Sequence, residues 1–212
     1  MSNNIKNKKK NYKEVEELLS FHYEEIEGEE FYRYIFPNNQ DEGEMPGDYS
    51  KPNAIYLYKD PKDEGTERKL RRRIMLNDTW EEDYREFVEN NPMTLCSGLA
   101  YRGRVNRLEY AQQMNALVFD LDAVGKNELT NLFSRISKKP GLRTLPQPTF
   151  IVMSGTGLHI YYVFKEPIAL YPNIKLQMKQ LKYDLTFKMW EYKATSQEKQ
   201  IQYQSINQGF RM

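Results

Sequence analysis

The chain of 212 residues has a single cysteine, Cys96, and only two histidines, His22 and His159. One cysteine excludes an internal disulfide and any cysteine-based zinc site. Two histidines exclude a histidine-rich metal centre. A reduced, cytoplasmic compartment is the expected location. No stretch approaches the roughly 20 consecutive apolar residues that cross a bilayer, so no membrane partner is expected. Residues 1–10 are rich in asparagine and lysine without an apolar centre, which excludes a secretory signal and reads as a disordered basic tail. The net charge is +1, so there is no global field to draw the protein to DNA, and nucleic-acid affinity must come from local patches. Hydrophobic residues make up 39% and charged residues 29%. The core is therefore expected in part of the chain, with the polar excess in the N-terminal third.

What is present begins with an N-terminal helical and loop region over residues 11–92. Val15, Leu18, Leu19, His22 and Ile26 have helical spacing, and His22 reads as a helix-face residue. Residues 38–53 read as a loop, 54–58 as a short strand, and 78–89 as a helix with acids in its first turn. Between them Glu67-Arg68-Lys69-Leu70-Arg71-Arg72-Arg73 is the sharpest basic cluster of the chain. Arg68, Arg71, Arg72 and Arg73 are either a solvated surface or contacts to a phosphate backbone.

A more hydrophobic domain is expected over residues 93–212, with α+β organisation in which a sheet is layered with helices. Residues 93–101 read as a strand that contains Cys96 as core filler, 105–113 as helical, and 114–121 as a buried central strand. Leu129, Leu132, Phe133 and Ile136 give a helix. Residues 149–153 and 158–164 read as paired strands around Ser154-Gly155-Thr156-Gly157. A long helix is expected over 172–192, with Ile174, Leu176, Met178, Leu181, Leu185 and Met189 along it, and a further helix over 197–206.

Two motifs carry chemistry. Leu117-Val118-Phe119-Asp120-Leu121-Asp122 is an apolar run ending in two acids two residues apart. Alternate side chains of a strand share a face, so Asp120 and Asp122 can clasp one divalent cation. Mg²⁺ and Mn²⁺ are hard cations that take such oxygen ligands. The plain alternative is that the acids cap a loop and begin a turn. The turn Ser154-Gly155-Thr156-Gly157 offers backbone N–H groups to an anion, and His159 follows on an apolar strand. Reversal of a hairpin, with His159 in the core, explains the same residues without a ligand.

The Asp-x-Asp strand followed by Ser154-Gly155-Thr156-Gly157-Leu158-His159 resembles the first two motifs of the archaeo-eukaryotic primase superfamily. The likeness is strongest to primase-polymerase domains in replication proteins of plasmids and other mobile elements. It extends to Ser97-Gly98-Leu99-Ala100-Tyr101-Arg102-Gly103-Arg104 before the acidic strand and to Arg211 in Gly209-Phe210-Arg211-Met212. The resemblance implies an RRM-like catalytic palm and DNA-dependent nucleotidyl transfer from a nucleoside triphosphate to a 3′-hydroxyl. By it, Asp120 and Asp122 hold Mg²⁺ or Mn²⁺, and Asp120, Asp122 and His159 are the catalytic residues. Ser154, Gly155, Gly157, His159 and Arg211 hold phosphate. Partners are nucleoside triphosphates and a DNA template, and a helicase in the same or another chain is compatible with this. The chain is expected to be a fragment, incomplete at its C-terminal end.

One departure stands out. The superfamily places another carboxylate shortly before the third-motif arginine, whereas Gln204-Ser205-Ile206-Asn207-Gln208 holds none and the last acid is Glu198. Glu198 or a residue beyond Met212 substitutes, the second metal is held differently, or the protein is catalytically degenerate. The last case gives a DNA-binding replication initiator that uses the arginine cluster. A third reading takes Val118-Phe119-Asp120-Leu121-Asp122 as the nucleophile strand of a haloacid-dehalogenase-like phosphatase, though Ala123-Val124 matches that pattern loosely.

Overall fold

A computed structural model of the chain describes residues 2–37, 39, 52–60, 70–91, 93–136, 141, 144–191, 195–196 and 199–212. The protein is α+β. Its helices are α1 (Ser2–His22), α2 (Gly28–Ile35), α3 (Trp80–Tyr84), α4 (Lys126–Arg135) and α5 (Pro172–Glu191). Its strands are β1 (Asn53–Tyr58), β2 (Arg71–Ile74), β3 (Thr94–Tyr101), β4 (Ala111–Leu121), β5 (Phe150–Met153), β6 (Leu158–Ala169) and β7 (Phe210–Arg211). They form a seven-stranded sheet in the order β2-β1-β3-β4-β6-β5, with β7 paired to β3. No described helix is long and apolar enough to cross a membrane.

The chain folds into two compact units that interleave in sequence. The first comprises Met1–Glu25, Val118–Val163 and Met178–Gln204, and the second Ile26–Leu117, Phe164–Gln177 and Ser205–Met212. The boundary expected at residue 92 does not coincide with either unit, because β1 and β2 pair with each other and β1 pairs with β3. The described backbone is helical from Ser2 onward, where a disordered tail is expected from composition.

In the second unit β3 is shared between two partners on one edge. Leu99, Ala100 and Tyr101 pair with β4, while Leu95 and Cys96 pair with β7. Gly98 stands at the changeover. A Cβ there would lie 2.2 Å from the Ala116 carbonyl oxygen and 2.9 Å from its carbon, so only glycine allows this approach. Tyr56, Tyr101, Leu99 and Met114 fill the core, and Phe87 packs on Tyr56 and Tyr58 with ring centroids 5.7 and 4.6 Å away. Cys96 lies among these residues and burial pushes its thiol up to about 12, which leaves it an inert core residue. Residues 105–113 are not a helix. A single 3₁₀ turn, Leu108–Tyr110, leads straight into β4, because pairing of Ala111 with Tyr101 overrides the local helical preference.

In the first unit α1 packs on α4 through His22 and Tyr23, whose rings lie 4.8 and 5.8 Å from that of Phe133. His22 is thus a packing residue. Helix α4 starts where the Glu128 carboxylate accepts the Gly125 N–H at 3.0 Å, and it buries Leu129 and Leu132. The buried Arg135 guanidinium donates to the carbonyls of Lys188 and Met189 at 3.1 Å each and to the Thr195 hydroxyl. Together with the Thr195 hydroxyl, which donates to the Met189 carbonyl at 2.6 Å, it pairs carbonyl groups near the end of α5. Strands β5 and β6 form the antiparallel hairpin expected around the glycine turn, with Met153 opposite Leu158 and Val152 opposite His159.

Helix α5 forms over the expected span: Met189 is buried and Ile174, Met178 and Leu185 are half-buried, while Leu176 and Leu181 are exposed and Lys182, Thr186 and Trp190 are buried. One expectation fails here. Residues 199–205 are not helical, because Tyr203 and Gln204 are engaged in contacts described below. Gln197 and Glu198 lie outside the described residues.

Gly98→Ala is expected to destabilise the protein by about 1–3 kcal/mol, since the added methyl must push two strands apart. Chemical denaturation of the purified variant checks this, and an unchanged midpoint would contradict the close approach.

Candidate functional site

The site is built on the end of β4. Ala116, Leu117, Val118 and Phe119 are all buried, so the strand is an apolar support that delivers Asp120 at its penultimate position and Asp122 just beyond its end. The next residue, Ala123, has φ 51°. This left-handed conformation costs a non-glycine residue about 1–2 kcal/mol. It turns the chain so that the Val124 N–H donates to the Thr156 carbonyl at 3.0 Å.

That bond draws the glycine turn onto the carboxylate segment. Gly155 has φ +96° with open space around it, so the backbone conformation itself selects glycine. Gly157 is constrained differently. A Cβ on it would stand 2.4 Å from the Leu121 carbonyl oxygen and 3.2 Å from the Asp122 Cα. The Ser154 N–H closes the turn on the Gly157 carbonyl at 3.0 Å. His159, two residues on, is buried on β6, and its Nε2 lies 3.6 Å from Oδ1 of Asp120. This is an ion-pair distance but too long for a hydrogen bond. Asp120, Asp122, Ser154, Gly155, Gly157 and His159 therefore all belong to one compact unit.

Three residues at this site were not singled out from the sequence. Lys182 on α5 is buried, with Nζ 5.8 Å from the centroid of the Phe119 ring. The Gln204 carboxamide makes two hydrogen bonds to the backbone of Asp120. Its Oε1 accepts the Asp120 N–H and its Nε2 donates to the Asp120 carbonyl, both at 3.0 Å. The Ser196 hydroxyl donates to the Asp122 carbonyl. Lys182 could have been found by grouping it with Thr186, Met189 and Trp190, which share one helical face. Gln204 and Ser196 have no local signal, since their partners lie more than seventy residues away in sequence.

The electrostatics follow from this packing. Burial, reinforced by the Asp122 charge, pushes the Asp120 carboxyl up to about 6, while Lys182 acts in the opposite direction. Burial brings the Lys182 ammonium down to about 7, with Asp120 limiting the fall. Oδ1 of Asp120 is buried and accepts no hydrogen bond among the described residues. Asp120 and Asp122 together offer carboxylate oxygens suited to one hard divalent cation, with water or phosphate oxygens completing its shell. No group of three or more His, Cys, Asp or Glu side chains able to hold a metal forms among the described residues.

Arg211 belongs to the other unit, exposed on β7 opposite Leu95. Arg68 lies outside the described residues. Of the remaining cluster on β2, Arg71 pairs with Asp60 at 2.7 Å and Arg72 donates to Asn106 at 2.7 Å. Arg73 grips the buried Asp83 through two nitrogens at 2.7 and 2.8 Å and stacks over Phe87. Asp83 also accepts from Thr79 at 3.1 Å. These arginines are largely committed within the fold, which weakens the case for a phosphate-backbone surface.

Compared with known proteins, the chain matches no family model, no curated protein and no solved structure.

Because the Asp120 carboxyl is raised from 3.8 to about 6, the folded state binds its proton more tightly than the unfolded state. Asp120 therefore contributes a loss of stability that sets in as pH rises above about 4 and is complete above about 6. Asp120→Asn is expected to lack this loss. Urea unfolding of both proteins across that range checks it, and parallel pH curves would contradict the burial of Asp120.

Proposed function

We propose that the protein is a metal-dependent nucleotidyltransferase of the primase-polymerase kind, acting on a nucleoside triphosphate and a DNA template in the replication of a plasmid or other mobile element. The single observation that carries this reading is the junction at Gly157, where a glycine turn suited to an anion lies directly against the segment bearing Asp120 and Asp122. Carboxylates for a cation and backbone N–H groups for a phosphate thus meet at one place.

In this reading Asp120 and Asp122 hold one Mg²⁺ or Mn²⁺, which when bound draws phosphate oxygens together and neutralises their charge. The turn from Ser154 to Gly157 receives the triphosphate on its backbone N–H groups, and His159 orients beside Asp120. Lys182, whose ammonium burial brings down to about 7, contributes positive charge toward Asp120 when protonated. The 3′-hydroxyl oxygen bonds to the α-phosphorus as the bond to the β-phosphate bridging oxygen breaks. Pyrophosphate leaves, and the hydroxyl proton passes to solvent. Positioning and charge neutralisation supply most of the acceleration in such transfers. Helicase activity is the natural companion function in the same or another chain.

A second reading, a replication initiator without catalysis, is favoured by one observation. The stretch where a third carboxylate would stand carries the neutral Gln204, committed to the backbone of Asp120.

Titration calorimetry with a non-hydrolysable nucleoside triphosphate, with and without Mn²⁺, tests the proposal. Wild type is expected to bind in a Mn²⁺-dependent manner. Asp120→Ala and Asp122→Ala are expected to abolish that dependence with the fold intact, and His159→Ala to weaken binding by about tenfold, the scale of one charge-assisted hydrogen bond. Equal binding by wild type and Asp122→Ala would remove the nucleotidyl-transfer reading. DNA binding that persists without metal in all variants would put the initiator in its place.

A further inference from the structure

Where β4 carries Asp120, a side chain does what a neighbouring strand ordinarily does. The Gln204 carboxamide meets both backbone groups of Asp120, accepting from its N–H and donating to its carbonyl at 3.0 Å each. Only one orientation of the amide satisfies both partners, so the pairing fixes the side chain as well as the strand. A glutamate at this position would have no proton for the carbonyl, and would add negative charge beside a carboxylate that burial already disfavours.

The segment is held from a second direction. Tyr203, the residue before Gln204, stacks face to face on Tyr183 of α5, with ring centroids 3.9 Å apart and planes within 5°. Lys182, next to Tyr183, is the buried ammonium whose charge acts on Asp120. One turn of α5 therefore both anchors the segment that grips the Asp120 backbone and supplies the charge felt by its carboxylate. Ser196 ties the carbonyl of Asp122 in the same unit.

We infer that Gln204 is a positioning residue for the cation at Asp120: its carboxamide, anchored by the Tyr203–Tyr183 stack, fixes the backbone from which the Asp120 carboxylate reaches its ligand. The inference rests on the proposed function for the identity of that ligand as Mg²⁺ or Mn²⁺. At position 204 itself a neutral amide is required to satisfy both backbone groups. Residues that orient a metal ligand typically change metal affinity by about tenfold or more when removed.

The test uses the full chain with two readouts, the exchange rate of the Asp120 amide proton without metal and Mn²⁺ affinity by calorimetry. In Gln204→Met, which keeps length and loses both hydrogen bonds, Asp120 exchange is expected to quicken by about tenfold and Mn²⁺ affinity to weaken by about tenfold. Tyr203→Leu is expected to move both in the same direction by less. Gln204→Asn, one methylene shorter and fully polar, is expected to show the same loss and serves if the methionine variant does not fold. Faster exchange with unchanged Mn²⁺ affinity would overturn the inference, because Gln204 would then only secure the segment. Unchanged exchange would overturn it as well. A wild type that binds no Mn²⁺, or binds it equally in Asp120→Ala, removes the metal reading itself, an outcome distinct from either of these.

Discussion

The approach of Gly157 to the backbone at Leu121 and Asp122 is closer than any side chain allows, and the site is arranged around it. A hypothetical Cβ at Gly157 overlaps the Leu121 carbonyl, so the glycine turn can rest on the end of β4 only because that atom is missing. The contact sets the spacing between the turn and the two carboxylates, and it brings β6 into the register that leaves His159 3.6 Å from Asp120. The left-handed Ala123 serves the same geometry, since without that reversal the Val124 N–H could not reach the Thr156 carbonyl. Strain at one residue is offset by backbone hydrogen bonding and burial around it.

Onto this frame the protein places charge economically. Asp120 is partly buried and close to a second carboxylate, an arrangement that disfavours ionisation. The counter-charge comes from Lys182, itself destabilised as a cation by burial. Each group is therefore held away from its ordinary ionisation, and each moderates the other. A buried pair of this kind is a poor source of stability compared with an apolar pair of the same volume. Its presence on β4 and α5 is more readily understood as a requirement of what happens at Asp120 than as a device for holding the fold together.

Much of the architecture was legible from pattern. The apolar run ahead of Asp120 marked β4, and alternation around Ser154-Gly155-Thr156-Gly157 marked the β5–β6 hairpin, because these elements draw on local periodicity. Helix α5 was placed correctly, but apolar residues alone do not show what it buries: Leu176 and Leu181 are exposed, whereas Lys182 and Thr186 are buried along with Met189, because burial depends on what packs against the helix in the folded chain. The 197–206 region misled for the same reason, since Tyr203 and Gln204 take their conformation from Tyr183 and Asp120. The arginine cluster shows the opposite limit. Composition identified it, but Asp60, Asn106 and Asp83, which occupy its guanidinium groups, are scattered in sequence.

The carboxamide of Gln204 has one more effect, on the behaviour of the strand as a surface. The pairing of β3 with β4 runs from Ala111 to Met114, well short of Asp120. A strand margin with open N–H and carbonyl groups is a template on which another extended chain can dock, and natural proteins protect such margins. By filling the two backbone positions at Asp120, a single side chain takes the place there that a docking strand would need, without adding a strand.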